Sequence, residues 1–75
     1  MELQIGKQYQ CRNIEYIACI TDDVSQNDKI YKFKGYVLDK NTGDFVRKIC
    51  IWTSSGNYVI DHQTDYDIIS IYETI

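Results

Sequence analysis

The chain has 75 residues, of which 44% are hydrophobic and 25% charged, and its formal net charge at pH 7 is −3. This composition predicts one compact domain over residues 1–75 and excludes a disordered chain, which would combine low hydrophobicity with high net charge. The negative charge also disfavours general nucleic-acid binding, because phosphate backbones are bound by basic surfaces.

The charge is unevenly distributed along the chain. Residues 1–52 contain all eight Lys and Arg residues against seven Asp and Glu, whereas residues 53–75 contain four acidic residues and no basic one. The C-terminal third is therefore predicted to present an acidic surface. No stretch approaches the roughly 20 apolar residues of a membrane span, and the N-terminus lacks the apolar core of a signal peptide. We expect a cytoplasmic protein without a membrane partner.

Three cysteines, Cys11, Cys19 and Cys50, are odd in number and show no C-x-x-C spacing. A disulfide framework or a structural zinc site would require paired or closely spaced cysteines. We therefore expect three small buried side chains in a reducing compartment, since free cysteine is among the most buried residue types. No cofactor is indicated.

Six short segments are predicted to be strands, because aromatic and β-branched residues alternate with polar ones between turn signals. In chain order they are residues 6–12, 14–21, 30–39, 45–53, 57–60 and 68–75. The polar segment 22–29 is predicted to be the longest exposed loop, and segment 39–44, with Asn41 and Gly43, a hairpin tip. Gly35 interrupts the third strand and predicts a bulge or a sharp bend.

Five or six short strands with close turns predict an all-β fold, a small antiparallel sheet closed into an SH3-like barrel. Closure would remove the exposed sheet edges. A five-stranded oligonucleotide-binding (OB-like) barrel is the alternative. A short C-terminal helix is also compatible with the pattern, since one helical face would carry Ile68, Ile71, Tyr72 and Ile75. A barrel this small gains core by pairing, so a homo-oligomer is compatible with the sequence.

Three segments, LQIGKQYQCRN, FKGYVLDKNTG and WTSSGNYVIDHQTDYDII, together resemble a group of small uncharacterised β-barrel proteins encoded by bacteriophages and prophages. In that group a G-x-x-Y-x-x-R-[ND]-G hairpin leads to a W-[ST]-x-x-G-x-Y segment and a closing D-x-D-[IL] strand. Ile14 stands where the group has a glycine, so a different turn or register is expected there, because isoleucine is a poor occupant of positive φ. The resemblance implies a phage accessory protein that binds a host factor, or neutralises a host defence, in the bacterial cytoplasm.

The segment IDHQTDYDII combines Asp61, Asp65 and Asp67 with the only histidine, His62. It lacks the glycine and glutamate of a calcium loop, and zinc prefers sites with several Cys or His ligands. Paired carboxylates act as acid and base when burial separates their pKa values, and a barrel of this size has few places to bury two. We interpret the segment as a turn into the last strand that presents an acidic interaction surface, and we predict no enzymatic activity.

A second candidate surface consists of Arg47, Lys48, Trp52 and Tyr58. Trp52 is either the main core residue or part of an aromatic and basic patch, in which the ring stacks on a ligand and a cation meets a phosphate. The leading hypothesis is a non-catalytic protein that binds a host protein. The alternative is capture of a small anionic ligand such as a nucleotide.

Overall fold

The computed structural model describes residues 2–72, which form one antiparallel five-stranded sheet. The strands are β1 (Gln8–Cys11), β2 (Tyr16–Asp23), β3 (Tyr31–Asp39), β4 (Phe45–Thr53) and β5 (Ile68–Ile71). They lie in the order β4-β3-β2-β1-β5, so β4 and β5 are the two edges of the sheet. The all-β prediction is confirmed, while closure into an SH3-like or OB-like barrel stays a prediction. No helix within residues 2–72 could cross a membrane.

Two predicted elements near the C-terminus differ from the structure. Residues 57–60 are not a strand, because Val59 forms only an isolated bridge with His62 and the segment joins no strand ladder. The helical alternative for the C-terminus is wrong over Ile68–Ile71, which pair with β1. The last part of that predicted element, 73–75, lies outside the described residues.

The longest connection between described strands also lies elsewhere than predicted. It is the fourteen-residue segment 54–67 between β4 and β5, which we call the β4–β5 loop. The predicted loop 22–29 is shorter than expected, because β2 continues to Asp23, which pairs with Phe33. Loops of the length of the β4–β5 loop are uncommon in small domains and are usually functional or disordered.

The turn between β1 and β2 is built around Asn13. Its side-chain oxygen accepts the amide of Glu15 at 2.9 Å, and its carbonyl accepts the amide of Tyr16 at 3.0 Å. Ile14 is 74% exposed in this turn and does not have a positive φ. The local hydrogen bonds of Asn13 therefore make the turn without a glycine at this position.

The main core cluster lies on one face of the sheet and includes the fully buried Trp52, while Ile17 and Cys19 of β2 are buried on the opposite face. Its buried members are Leu3, Tyr9, Cys11, Ala18, Ile20, Phe33, Val37, Cys50, Trp52 and Ile68. Gly35 lies in β3 where a Cβ atom would overlap the carbonyl oxygen of Cys19 on β2. The pairing of β3 with β4 changes register between Gly35 and Val37, which confirms the predicted irregularity.

Candidate binding site

The carboxylate of Asp67 is the hydrogen-bonding centre of the β4–β5 loop. Its side chain is 3% exposed. Oδ1 accepts the amide of Tyr58 at 2.9 Å and the hydroxyl of Thr64 at 3.0 Å. Oδ2 accepts the amide of Thr64 at 3.0 Å and Nε of Arg12 at 3.4 Å. A carboxylate is tolerated below the surface when its charge is satisfied in this way, so Asp67 joins two points of the loop to the end of β1.

These donors also set the ionisation of Asp67. Burial raises the pKa of this carboxyl group, but the hydrogen bonds from Tyr58, Thr64 and Arg12 outweigh burial and hold the pKa below its ordinary value of 3.8. Asp67 is therefore ionised at neutral pH. Its four donors match the roughly four acceptor positions of a carboxylate. Asp67 thus lies beneath the surface and positions the loop, and its charge is not presented to a partner.

The backbone of the β4–β5 loop is fixed at two further points. The carbonyl of Gly56 accepts the amide of Ile68 at 2.9 Å, which ties the start of the loop to the start of β5. Asp61 has φ 66° and is the one non-glycine residue with positive φ in the described chain. It lies in a tight turn in which the amide of His62 donates to the carbonyl of Val59 at 3.3 Å. Aspartate is one of the few residue types that adopt this conformation locally.

The exposed residues of the loop are mainly polar, and they include two carboxylates and one large apolar side chain. Asp61 and Asp65 are exposed, and Ile60 is 47% exposed. The loop contains no Lys or Arg. Among the described residues, no three His, Cys, Asp or Glu side chains come together as a metal site would require. The loop therefore presents two carboxylates that are separate from the buried carboxylate of Asp67.

Trp52 lies in the core below this loop. Its side chain is fully buried, at 0% exposure, and its indole Nε1–H donates to the carbonyl of Tyr66 at 2.9 Å. The core interpretation of Trp52 is therefore confirmed, and its ring has no free face on which a nucleotide could stack. Trp52 instead supports the loop from beneath.

Two tyrosines of the loop, Tyr58 and Tyr66, form a cluster with Tyr16 of β2 and Arg47 of β4. The ring centroid of Tyr66 is 5.1 Å from that of Tyr58 and 5.7 Å from that of Tyr16, and the rings of Tyr16 and Tyr66 are within 9° of parallel. The guanidinium carbon of Arg47 lies 5.1 Å from the centroid of Tyr66, a cation–π contact. The sequence pattern indicates Arg47 and Tyr58 but not Tyr16 and Tyr66, because Tyr16 and Tyr66 are far apart in the chain and meet only where the loop packs against β2.

Lys48 does not join this tyrosine cluster. The pairing of β4 with β3 is irregular around Arg47, and Arg47 and Lys48 contact different aromatic rings. The Nζ atom of Lys48 lies 6.0 Å from the ring centroid of Phe45, and both side chains are exposed on β4. The structure therefore divides the predicted basic and aromatic patch into a core residue, a tyrosine–arginine cluster and an exposed edge of β4.

A polar cleft of about 280 Å³ opens between Arg12 and the β4–β5 loop. Its lining residues are Arg12, Asn57, Ile60, Asp61, His62, Gln63 and Asp67. The Arg12 side chain is 42% exposed, and within residues 2–72 only its Nε donates to a protein acceptor. The cleft thus contains one fixed, accessible guanidinium group.

The three cysteines are free and buried, as the composition predicts. Burial raises the pKa of Cys11 to about 12 and that of Cys50 to about 11. Both thiols are therefore protonated at neutral pH, whereas a nucleophilic cysteine requires the thiolate.

The candidate site thus consists of an ordered acidic loop, a tyrosine–arginine cluster and a polar cleft beside Arg12. No protein-family model, curated protein or solved structure matches this chain. The contacts and charges of these residues are therefore the evidence on the function of this chain.

Proposed function

We propose that this chain is a non-catalytic, phage-encoded accessory protein, and that its β4–β5 loop binds a basic surface of a host protein. The observation that carries this proposal is the buried Asp67 carboxylate, whose four hydrogen bonds hold the long acidic loop in place. A loop that is ordered before binding loses less conformational entropy when the complex forms. Rigidly positioned loops are common binding elements for this reason.

The exposed charges support a basic partner surface. Asp61 and Asp65 are exposed, and no Lys or Arg in the loop offsets them. Complementary charges accelerate association and select among partners. The exposed Ile60 beside Asp61 supplies an apolar contact at the same place. The association rate should fall as salt concentration rises, because salt screens exposed charges.

The chemistry of the site supports binding in preference to catalysis. The Asp67 carboxylate is ionised and fully occupied by protein donors, so it is a poor general acid or base. The thiols of Cys11 and Cys50 are buried and protonated.

Affinity capture from a lysate of the bacterial host tests the proposal. The bait proteins are the wild type, an Asp61→Asn/Asp65→Asn variant and a control Asp22→Asn/Asp44→Asn variant, which removes the same charge from exposed positions outside the loop. We expect the wild type and the control to retain one specific host protein that salt releases, and the loop variant to lose it. Retrieval of no specific protein, or equal retrieval by the loop variant, contradicts the proposal.

A second candidate function is the capture of a small anionic ligand such as a nucleotide. The cleft beside Arg12 favours it, because Asp67 fixes this guanidinium group next to Asn57 and His62. Equilibrium titration with a panel of nucleotides separates the two functions. Saturable binding that is abolished by Arg12→Gln, and retained by the control Lys48→Ala, supports capture. Flat titrations reject it.

A further inference from the structure

Two rows of paired residues cross the side of the sheet that faces away from Trp52, which we call the second face. Partners on antiparallel strands point to the same side, and neighbours along a strand point to opposite sides. The rows are Gln8, Cys19 and Tyr36, and Gln10, Ile17, Leu38 and Phe45. Ile17 and Cys19 are buried in the middle of this face, whereas Phe45 is 55% exposed. The ring centroids of Tyr36 and Phe45 are 5.3 Å apart, so two aromatic rings lie together on the second face.

Two lysines lie beside aromatic rings on the second face. The Nζ atom of Lys48 is 6.0 Å from the ring centroid of Phe45. The Nζ atom of Lys40 is 5.3 Å from the ring centroid of Tyr72 and donates to Oε1 of Gln10 at 2.9 Å. Neither lysine forms a salt bridge with a carboxylate of residues 2–72. Both ammonium groups are therefore available to an anionic ligand.

Two clefts open on the second face, and Gln8 lines both of them. The larger cleft, of about 350 Å³, is also lined by Lys7 and Tyr36. The smaller cleft, of about 160 Å³, is also lined by Lys40 and Tyr72. Each cleft therefore combines a lysine, a tyrosine and a glutamine. These residue types bind a phosphate, stack on a nucleic-acid base and hydrogen-bond to a base edge.

The lysines of the second face are separated from the acidic β4–β5 loop. The loop covers the opposite side of the sheet, where the indole of Trp52 donates to the carbonyl of Tyr66. Asp39 is the only acidic residue that lines either cleft, and its Oδ1 accepts two backbone amides of the turn between β3 and β4. Asp22 and Lys34 are paired on β2 and β3, so their charges compensate each other. The three lysines of the rings and clefts therefore outnumber the nearby carboxylate, although the whole chain has a net charge of −3.

We propose that the second face binds single-stranded nucleic acid. Phosphates match its lysines, and the faces of unpaired bases match its aromatic rings, which is the combination that sites for single strands use. An acidic peptide would also match the lysines, but it would leave the exposed ring of Phe45 without a stacking partner. Phe45 lies on one edge strand and Tyr72 directly after the other, about 20 Å apart at four strand spacings. A strand of several nucleotides therefore reaches both rings.

The proposal is tested by fluorescence anisotropy with a labelled oligodeoxythymidylate of about twelve nucleotides. We expect saturable binding at low salt with a Kd of about 10–100 µM. The logarithm of the association constant should fall with the logarithm of salt concentration with a slope of about −2, because three lysines contact three phosphates. A duplex of the same length should bind more weakly, because its bases are already paired and stacked on one another.

Variants of the second face separate stacking from charge. Phe45→Leu should weaken oligonucleotide binding by about fivefold or more, because leucine is apolar but has no ring, and Phe45→Trp should retain binding. Lys40→Gln and Lys48→Gln should each bring the salt slope closer to zero by about 0.7. The control Lys29→Gln removes the same charge from an exposed position in the connection between β2 and β3, and it should leave the slope unchanged.

The proposal is overturned if the oligonucleotide does not bind, if the duplex binds equally well, or if folded Phe45→Leu, verified by circular dichroism, binds like the wild type. A polyglutamate peptide that binds as tightly as the oligonucleotide would assign the second face to an acidic protein segment instead. Oligonucleotide binding that Arg12→Gln abolishes and Lys48→Gln leaves unchanged would belong to the cleft beside Arg12, which also contradicts the proposal. The experiment uses no host protein, so its outcome is independent of the capture experiment.

Discussion

Arg12 and Asp67, 55 positions apart in the chain, are joined by two contacts: the Arg12 amide donates to the Asp67 carbonyl at 2.7 Å, and Arg12 Nε lies 3.4 Å from Asp67 Oδ2. The pair connects the residue after β1 with the residue before β5. Asp67 therefore has two roles. Its side chain holds the β4–β5 loop, and it directly precedes β5, which pairs with β1. We expect a change at Asp67 to affect both the loop and the edge strand that follows it.

Replacing Asp67 by alanine should lower the free energy of unfolding by about 3 kcal/mol, because the amides of Tyr58 and Thr64 lose their acceptor. Asp67→Asn keeps one acceptor oxygen and should cost less. The control Asp65→Ala removes an exposed carboxylate two positions away and should change stability by less than about 0.5 kcal/mol. Urea unfolding followed by circular dichroism measures all three. Equal losses for Asp67→Ala and Asp65→Ala would contradict the role assigned to Asp67.

The lowered pKa of Asp67 predicts a specific loss of stability in acid. Burial raises this pKa and the hydrogen bonds more than offset it, so the folded-state pKa lies below the unfolded value near 3.8. The contribution of Asp67 is therefore complete above that value and is lost as the pH falls through the folded-state pKa. We expect the wild type to lose stability steeply below about pH 4, and Asp67→Asn to lose less.

The pH experiment compares urea unfolding of the wild type and Asp67→Asn from about pH 7 to about pH 2. Hydrogen bonds from Ser25 lower the pKa of Asp23, and the amides of Tyr31 and Ile30 lower the pKa of Asp28. Protonation of these two carboxylates also reduces stability in acid, and it does so equally in the wild type and in Asp67→Asn. The difference between the two curves of unfolding free energy against pH gives the contribution of Asp67. Parallel curves across the acidic range would show that Asp67 does not couple folding to protonation.

Gly35→Ala should destabilise the fold by about 3 kcal/mol or prevent folding, because overpacking against a rigid backbone forces the strands apart. The added Cβ would overlap the carbonyl oxygen of Cys19, which lies in the pairing of β2 with β3. Gly43→Ala is the control, since Gly43 has φ 75° but no atom within 4 Å of an added Cβ. Gly43→Ala should lower the free energy of unfolding by about 1 kcal/mol, because of backbone strain alone. Thermal unfolding that ranks the two variants in the opposite order contradicts this account of Gly35.

Thiol alkylation should report the opening of the core. The raised pKa values of Cys11, about 12, and Cys50, about 11, and the burial of both side chains make native-state labelling slow. Iodoacetamide labelling followed by peptide mass spectrometry should modify both residues fully in urea and only slowly without it. Asp67→Ala should accelerate native labelling, because a less stable fold opens more often. Rapid labelling of Cys11 in the native wild type would contradict its burial.

Much of the sheet is predictable from local pattern. Strand β4 spans the predicted residues 45–53, and β3 begins one residue later than predicted and ends at the predicted residue. The hairpin tip at 39–44 also forms, with Gly43 at positive φ. Segment 57–60 is wrongly predicted as a strand, because the Tyr58 amide donates to the Asp67 carboxylate and local alternation does not reveal this partner.

The all-β class, the positions of the central strands and the acidic C-terminal third follow from alternation, turn residues and charge, which are properties of neighbours in the chain. Tertiary contacts determine which aspartate is buried, because Asp61, Asp65 and Asp67 have the same chemistry and only Asp67 meets Arg12, Tyr58 and Thr64. Tertiary contacts likewise place Trp52 in the core and Tyr66 against Tyr16. The burial and the hydrogen-bond partners of these side chains depend on which segments lie next to one another in space. The pairing of β5 with β1 brings the end of the β4–β5 loop next to Arg12.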